Sequence, residues 1–283
     1  MAIRSVFLSR TSYPFFEEIY VEFDWFPGFA LSQKRKCEIG LHQNFLLSYP
    51  QEKILEISGA SIYHLGSMLS AMKLSKRTSR GVTSVESAFQ SSRIYSDKDN
   101  TIGPFPEYLF LPGKECKKNV KEKAGNLHSY CYSFDNEVFY APDFHISLFY
   151  DFLYLNALLE SDNKLTHDTL INSGYTAFTD LATKSLNSQA RSCAIFIGLV
   201  KAGLTSKVKT VVDYLELFRT TKDGNAMSKL SYENVQLLQS DGTVKLHSPI
   251  VPCRFTREQV EYYYCEKCST LTNKKTPDNY LFT

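Results

Sequence analysis

The sequence predicts an α+β fold: one helix-dominated domain with a few short strands, then a small C-terminal hairpin and helix. Three observations lead there. Long helical patterns recur from Leu31 to Tyr49, from His145 to Leu159 and from Ser185 onward. The strand-like runs between them are short, as in KILEIS (Lys53 to Ser58) and YTAFTDL (Tyr175 to Leu181). No internal repeat is visible, and TTKDGNAMS (Thr220 to Ser228) is the best linker in the chain. Residues 1–219 are therefore expected to form one domain and 229–283 a small appendage.

Composition bounds the reading. A chain of 283 residues buries a large core, and 43% apolar residues exclude global disorder. The 20 Phe and 18 Tyr suit a cleft that stacks a planar ligand, and suit an aromatic core equally well. With 32 basic and 30 acidic residues, net charge does not announce a nucleic-acid protein, although KRTSR (Lys76 to Arg80) and KKNVKEK (Lys117 to Lys123) are local basic patches. The N-terminus lacks an apolar stretch of signal-peptide length and no window approaches a membrane span, so a cytoplasmic protein is expected. Seven cysteines without framework spacing favour free thiols. Cys265 and Cys268 form a lone CxxC, a weak zinc signal, so no metal is expected. Neither GxGxxG nor GxxxxGK[ST] is present, and no cofactor is expected.

In chain order, Ile3 to Leu8 and Ile19 to Phe26 read as strands, the second ended by Pro27-Gly28. Leu31 to Tyr49 reads as a helix opened by Ser32, with Leu31, Cys37, Leu41 and Phe45 on one side and His42 as a satisfied core-edge histidine. Lys53 to Ser58 is a strand, and His64 to Leu74 a small helix or tight loop. Thr83 to Tyr95 (TSVESAFQSSRIY) opens a helix with Ser84 as N-cap. Lys114 to Lys123 reads as a charged helix, and Leu127 to Phe139 as strands around an Asp135-Asn136 turn. His145 to Leu159 is an aromatic helix on which Asp151 is the only acid. Buried among aromatic residues it must be paired or functional. Lys164 to Ser173 is a helix stopped at Gly174, and the helix from Ser185 has Asn187 or Ser188 as N-cap and Gly203 just past its end. Ser206 to Phe218 reads as a helix, VQLLQSDGTVKLH as a hairpin turning at Asp241-Gly242, and Arg257 to Cys265 as a tyrosine-rich helix.

Two places carry candidate chemistry. Glu86, Gln90 and Arg93 fall at i, i+4 and i+7, so they share one helix side beside an aromatic stripe. A carboxylate, a carboxamide and a guanidinium in register supply an acid/base group, an orienting group and an anion clamp. The same spacing suits a solvated helix face. Gln189, Arg191 and Ser192 lie in the first turns of their helix, where the dipole opposes an arginine, so Arg191 is expected to meet something negative.

Three blocks together resemble the NADAR (YbiA-like) family, in the branch associated with DarT-type ADP-ribosylating toxins. The first pairs LGSMLSAMKL with the pattern S-x-E-x-x-x-Q-x-x-K/R, matched by Ser84, Glu86, Gln90 and Arg93. The second, SLFYDFLYLNAL, is similar to the family's F-Y-D-W-L-Y through Phe149, Tyr150, Asp151, Leu153 and Tyr154. The third resembles F-T-D followed by N-x-Q-A-R-S, through Phe178, Thr179, Asp180, Asn187, Gln189, Ala190, Arg191 and Ser192. WFPGFALSQKRKCEIGLHQ (Trp25 to Gln43) also looks like that branch. Met72 and Lys73 stand where the pattern has Phe and Asn, Phe152 stands where it has Trp, and nothing after Thr220 matches.

The resemblance implies removal of ADP-ribose from guanine in DNA by hydrolysis of an N-glycosidic bond, as antitoxin to a DarT-type toxin. It implies Glu86 and Asp151 as catalytic acids, Glu86 first, and Arg93 and Arg191 as phosphate contacts. Gln90 and Gln189 would orient ribose hydroxyls, Tyr150 or Phe178 would stack on a base, and Asp180 and Asn187 complete the binding set. Expected partners are ADP-ribosylated DNA, with the guanine single-stranded or flipped out, or ADP-ribose itself, and a cognate toxin. The alternatives are an N-glycosidase acting on a small ribosylated metabolite of the riboflavin-pathway type, and a non-catalytic protein that binds ADP-ribose or the toxin.

Overall fold

The computed structural model describes residues 1–97, 100–127, 129–135, 137–140, 146–181 and 188–210, a few positions between 213 and 217, and short strands at 235–238, 244–246, 254–255 and 263–265. The fold is mixed α+β, with seven α-helices among the described residues and strands gathered into small sheets. The chain divides into two compact units, each discontinuous: residues 1–76 with 150–209, and residues 77–149 with 210–283. The linker expected at 220–228 lies outside the described residues.

The first unit is built on a four-stranded sheet in the order β2-β1-β10-β3, where β1 is Ala2–Ser9, β2 Phe16–Phe23, β3 Ile54–Glu56 and β10 Ala177–Thr179. Pairing is antiparallel except between β10 and β3, which run parallel with Phe178 opposite Leu55 and Thr179 opposite Glu56. Successive strand residues face opposite sides. Val6 and Leu8 therefore join Cys37, Leu41 and Phe45 of α1 (Leu31–Ser48) in one core, while Phe7 and its partner Phe178 point to the other face. Helix α1 starts where expected, but its N-cap is Ala30, with no side-chain cap. Helix α2 (His64–Met68) is shorter than expected, and its Gly66 lies against the chain: a Cβ there would meet the Glu56 carbonyl oxygen at 2.1 Å. Helix α6 (Lys164–Asn172) precedes Gly174, whose φ of +75° suits glycine. Helix α7 (Gln189–Lys201) packs on β1, β2 and β10 and is capped by Ser188, whose side chain accepts from the Arg191 N–H.

In the second unit, a ribbon strand β5 (Gly81–Ser84), paired with β4 (Ser75–Thr78), leads directly into α3 (Val85–Ser91), which packs against α4 (Gly113–Ala124). Ser84 caps α3 as expected, accepting from the Ser87 N–H at 3.1 Å. A five-stranded sheet in the order β13-β9-β8-β6-β7 follows, with β6 at Arg93–Asp97, β7 at Asn100–Ile102, β8 at Ser129–Phe134, β9 at Glu137–Tyr140 and β13 at Arg254–Phe255. The hairpin of β8 and β9 turns at Asp135, as its sequence suggests. Helix α5 (Ile146–Leu158) spans the expected stretch; its residues up to Phe149 belong to this unit and those from Tyr150 on to the first, and Phe149 in its first turn stacks on Tyr132 with ring centroids 4.5 Å apart.

Beyond the family-like region the expected hairpin exists as β11 (Val235–Leu238) and β12 (Val244–Leu246), although its turn lies outside the described residues. Tyr263–Cys265 is not helical: it forms β14 and pairs with β11, because a strand edge satisfies its backbone there. At 205–208 the expected helix starts as a short 3-10 turn, residues 213, 214 and 217 are helical, and 211, 212, 215, 216 and 218 lie outside the described residues.

Candidate functional site

In the second unit the Glu86 group forms a buried polar chain. Every residue of α3 is buried, Glu86 being 7% exposed, which overturns a solvated helix face. Gln90 Nε2 donates to Glu86 Oε1 at 3.1 Å, and Arg93 Nη1 donates to Gln90 Oε1 at 3.2 Å. Arg93 itself is not on the helix. The helix ends at Ser91 and Arg93 opens β6, so the link to Gln90 crosses the helix-strand junction. Its guanidinium lies 5.0 Å from the Tyr95 ring centroid and 5.8 Å from that of Phe89. Gly103 (φ +92°) runs beneath, where a Cβ would meet the Arg93 carbonyl oxygen at 2.3 Å. The exposed ammonium of Lys117, on α4, stands 3.8 Å from Glu86 Oε1. Among the described residues no hydrogen bond is made to Glu86 Oε2, so one carboxylate oxygen is held and the other is uncommitted.

In the first unit Asp151 is bound on both oxygens. Arg191 Nη2 donates to Oδ1 at 3.2 Å and to Oδ2 at 3.1 Å, and Ser192 Oγ donates to Oδ1 at 2.6 Å. Burial pushes the Asp151 carboxyl above its ordinary range, while Arg191 and Ser192 pull against that rise. The negative group that Arg191 was expected to meet is thus Asp151 of the same chain.

Several other expected contacts find different work. Gln189 Nε2 donates to the Ile57 carbonyl at 2.5 Å and its Oε1 accepts from the Ala71 N–H at 2.8 Å, so its amide braces two loops. Tyr154 reinforces the same loop, donating from its hydroxyl to the Leu69 carbonyl at 2.5 Å. Phe178 is 0% exposed because β10 lies inside the sheet, so its ring is core and not a stacking platform. Tyr150 is also buried, near Tyr154. Lys76, expected in a basic patch, is buried and paired with Glu160 and with Asn156 Oδ1. Asn187 and the CxxC cysteine Cys268 lie outside the described residues.

A third cluster was not anticipated. Thr179 Oγ1 donates to Glu56 Oε2 at 2.6 Å, His42 Nε2 lies 2.9 Å from the same hydroxyl, and the Leu181 N–H donates to Glu56 Oε1 at 3.1 Å. Burial first, then the nearby Asp180 carboxylate, pushes Glu56 up to about 8, and burial pulls His42 down to about 4. Asp180 is therefore part of a buried acid group at the ends of two parallel strands. Glu38 on α1, which accepts from the Ile62 N–H at 3.0 Å, is likewise raised by burial to about 7. The lone acid in KILEIS was the available signal for Glu56, and Glu38 lies beside the apolar stripe of α1. Cys37, Cys116 and Cys193 are buried free thiols, and burial pushes the last two to about 12. Among the described residues no cluster suits a metal ion, and no helix is long and apolar enough to cross a membrane.

A model of the DarT1-associated NADAR antitoxin family matches residues 2–228. The chain belongs to that family. Membership in the DarT1-associated NADAR family carries an antitoxin role against a DarT1 toxin. The match contains Glu86, Gln90, Arg93, Asp151 and Arg191, and it ends where the tail begins. No curated protein matches the chain.

Proposed function

We propose that this NADAR antitoxin hydrolyses the N-glycosidic bond between ADP-ribose and guanine in nucleic acid, with Glu86 as the reacting carboxylate. The observation that carries the reading is the state of that carboxylate: buried, held through Oε1 by Gln90, and uncommitted at Oε2 among the described residues. Cleavage of a ribosyl C–N bond passes through an oxocarbenium-like state, which a neighbouring carboxylate stabilises. As the bond breaks, its electron pair leaves with the guanine nitrogen. Water then adds its oxygen to the anomeric carbon and gives a proton to Glu86, which passes it on to the departing guanine nitrogen and is left as the carboxylate again.

Arg93 stands next in the chain of polar contacts and is suited to a phosphate oxygen, since its guanidinium makes one long hydrogen bond to Gln90 and keeps donors to spare. Asp151 takes the supporting part in this reading. With both oxygens engaged it holds Arg191 and Ser192, and through them the start of α7. A guanine in duplex must be flipped out or presented in single strand.

The test is release of ADP-ribose from a single-stranded oligonucleotide carrying one ADP-ribosyl-guanine, run beside free ADP-ribosyl-guanosine. Release from the oligonucleotide supports the reading. Turnover of the free nucleoside alone moves the substrate to small metabolites, and release from neither overturns the hydrolase.

A further inference from the structure

Trp25, Phe26 and Phe29 lie on the short segment between β2 and α1, and all three rings are exposed, at 40%, 37% and 97%. Scattered exposed apolar residues need no explanation, but three exposed aromatic rings within five residues do. The segment is anchored. The Trp25 ring meets the buried Phe23 ring edge-on with centroids 6.1 Å apart. The Phe26 N–H donates to Cys37 Sγ at 3.3 Å, and the Cys37 thiol donates back to the Phe26 carbonyl at 3.5 Å. The Trp25 and Phe26 rings stay partly in solvent although the segment is tied to the core at Phe23 and Cys37.

Each of the first two rings carries a cation. The Arg4 guanidinium lies 4.9 Å from the Trp25 centroid, and the Lys36 ammonium 5.7 Å from that of Phe26. Lys34 and Arg35 are exposed alongside. Between Asp24 and Lys36 the only acid is Asp24 itself, and the first turn of α1 holds none. Protein-docking faces concentrate aromatic residues but are depleted in lysine. Rings interleaved with lysine and arginine are the pattern of surfaces that take single strands, the rings stacking on bases and the cations meeting phosphates.

We propose that Trp25, Phe26 and Phe29, with Arg4, Lys34, Arg35 and Lys36, form a contact surface for single-stranded nucleic acid. The inference deepens the function proposed above and rests on it for the choice of a polynucleotide as the polyanion. Its test does not depend on turnover. Trp25 is the only tryptophan in the chain, so its fluorescence reports on this surface alone.

Titration of the full chain with unmodified oligo-dT, and in parallel with oligo-U, quenches Trp25 if bases stack there. Phe29→Ala, which removes a solvent-exposed ring and leaves the reporter in place, weakens the affinity roughly 5- to 100-fold. Replacing Lys34, Arg35 and Lys36 together by alanine lowers the slope of log affinity against log salt by about 2, at about 0.7 per phosphate contact. The arm that binds more tightly identifies DNA or RNA as the ligand. Absence of quenching by both oligonucleotides, or quenching by purified DarT1 toxin alone, overturns the proposal. Binding that persists in Glu86→Gln without turnover keeps the two claims apart. If the wild type binds oligonucleotide and hydrolyses nothing, the proposed function fails and this surface stands. If it hydrolyses the modified oligonucleotide and Phe29→Ala changes neither affinity nor KM, the surface fails and the function stands.

Discussion

Replacing Arg191 by leucine removes a charge while keeping apolar volume, and it isolates what the pairing with Asp151 is worth. Asp151 is 2% exposed and accepts three hydrogen bonds, two of them from Arg191. Without Arg191 the carboxylate keeps only the Ser192 hydroxyl, and an uncompensated buried charge costs about 3–5 kcal/mol. Domains of this kind have about 5–15 kcal/mol in total, so the variant should lie close to the unfolding threshold at neutral pH. The sign of the pH dependence follows from the raised pKa. Burial already holds Asp151 above its ordinary range against the pull of Arg191. Loss of the arginine raises it further, so the variant's deficit grows as pH rises and shrinks as acid protonates the carboxyl. Urea unfolding at pH 7.5 and pH 5, for Arg191→Leu, Asp151→Asn and the double variant, reads both effects. The double variant should recover much of the loss. A deficit below about 1 kcal/mol at pH 7.5, the range of an exposed pair, would refute a buried and energetically coupled charge pair.

Three further outcomes follow from the same geometry. Glu56 has a folded-state pKa of about 8 against an ordinary 4.5, so its contribution is present below about 4.5 and lost as pH rises through about 8. Glu56→Gln should therefore flatten the fall in stability across this window when melting is followed from pH 5 to 9. Gly66→Ala drives a Cβ to within 2.1 Å of the Glu56 carbonyl oxygen, so the backbone must shift, at roughly 1–3 kcal/mol or more in a chemical melt. Gln189→Ala leaves the Ile57 carbonyl and the Ala71 N–H without their partner, at about 1–3 kcal/mol each. If Gln189 braces loops and does not touch ribose, stability falls while KM for the variant that remains folded stays near the wild-type value.

Much of the local structure was legible because its cause is local. Ser84 and Ser188 cap their helices, and Asp135 turns its hairpin, for reasons contained within a few residues. The three family-like blocks were legible as motifs for the same reason. What each side chain faces was not. The amide of Gln189 meets a loop 118 residues away at Ala71, and Glu56 meets Thr179 only because β3 and β10 run parallel in one register. Phe178 resembled a stacking platform in a motif, yet its strand is internal to the sheet, which a single sequence does not reveal. Arg93 fitted a helical spacing that the chain abandons at Ser91, since β6 pairs with β8 from Arg93 onward. Arg191 gave a usable signal, a cation at a helix start. Asp151 supplies an anion that answers it.

In the proposed mechanism Glu86, and not Asp151, is the reacting carboxylate. The most direct measurement is single-turnover release of ADP-ribose from an ADP-ribosyl-guanine oligonucleotide by the wild type, Glu86→Gln and Asp151→Asn, each checked for folding by its melt. Loss of a general acid or base costs about 10²–10⁴ in rate. A fall of that size is expected for Glu86→Gln in a protein that melts normally, and for Asp151→Asn a lowered melting point with a much smaller loss of rate per folded molecule. A well-folded Glu86→Gln that turns over within about tenfold of the wild type, outside that range, would contradict it.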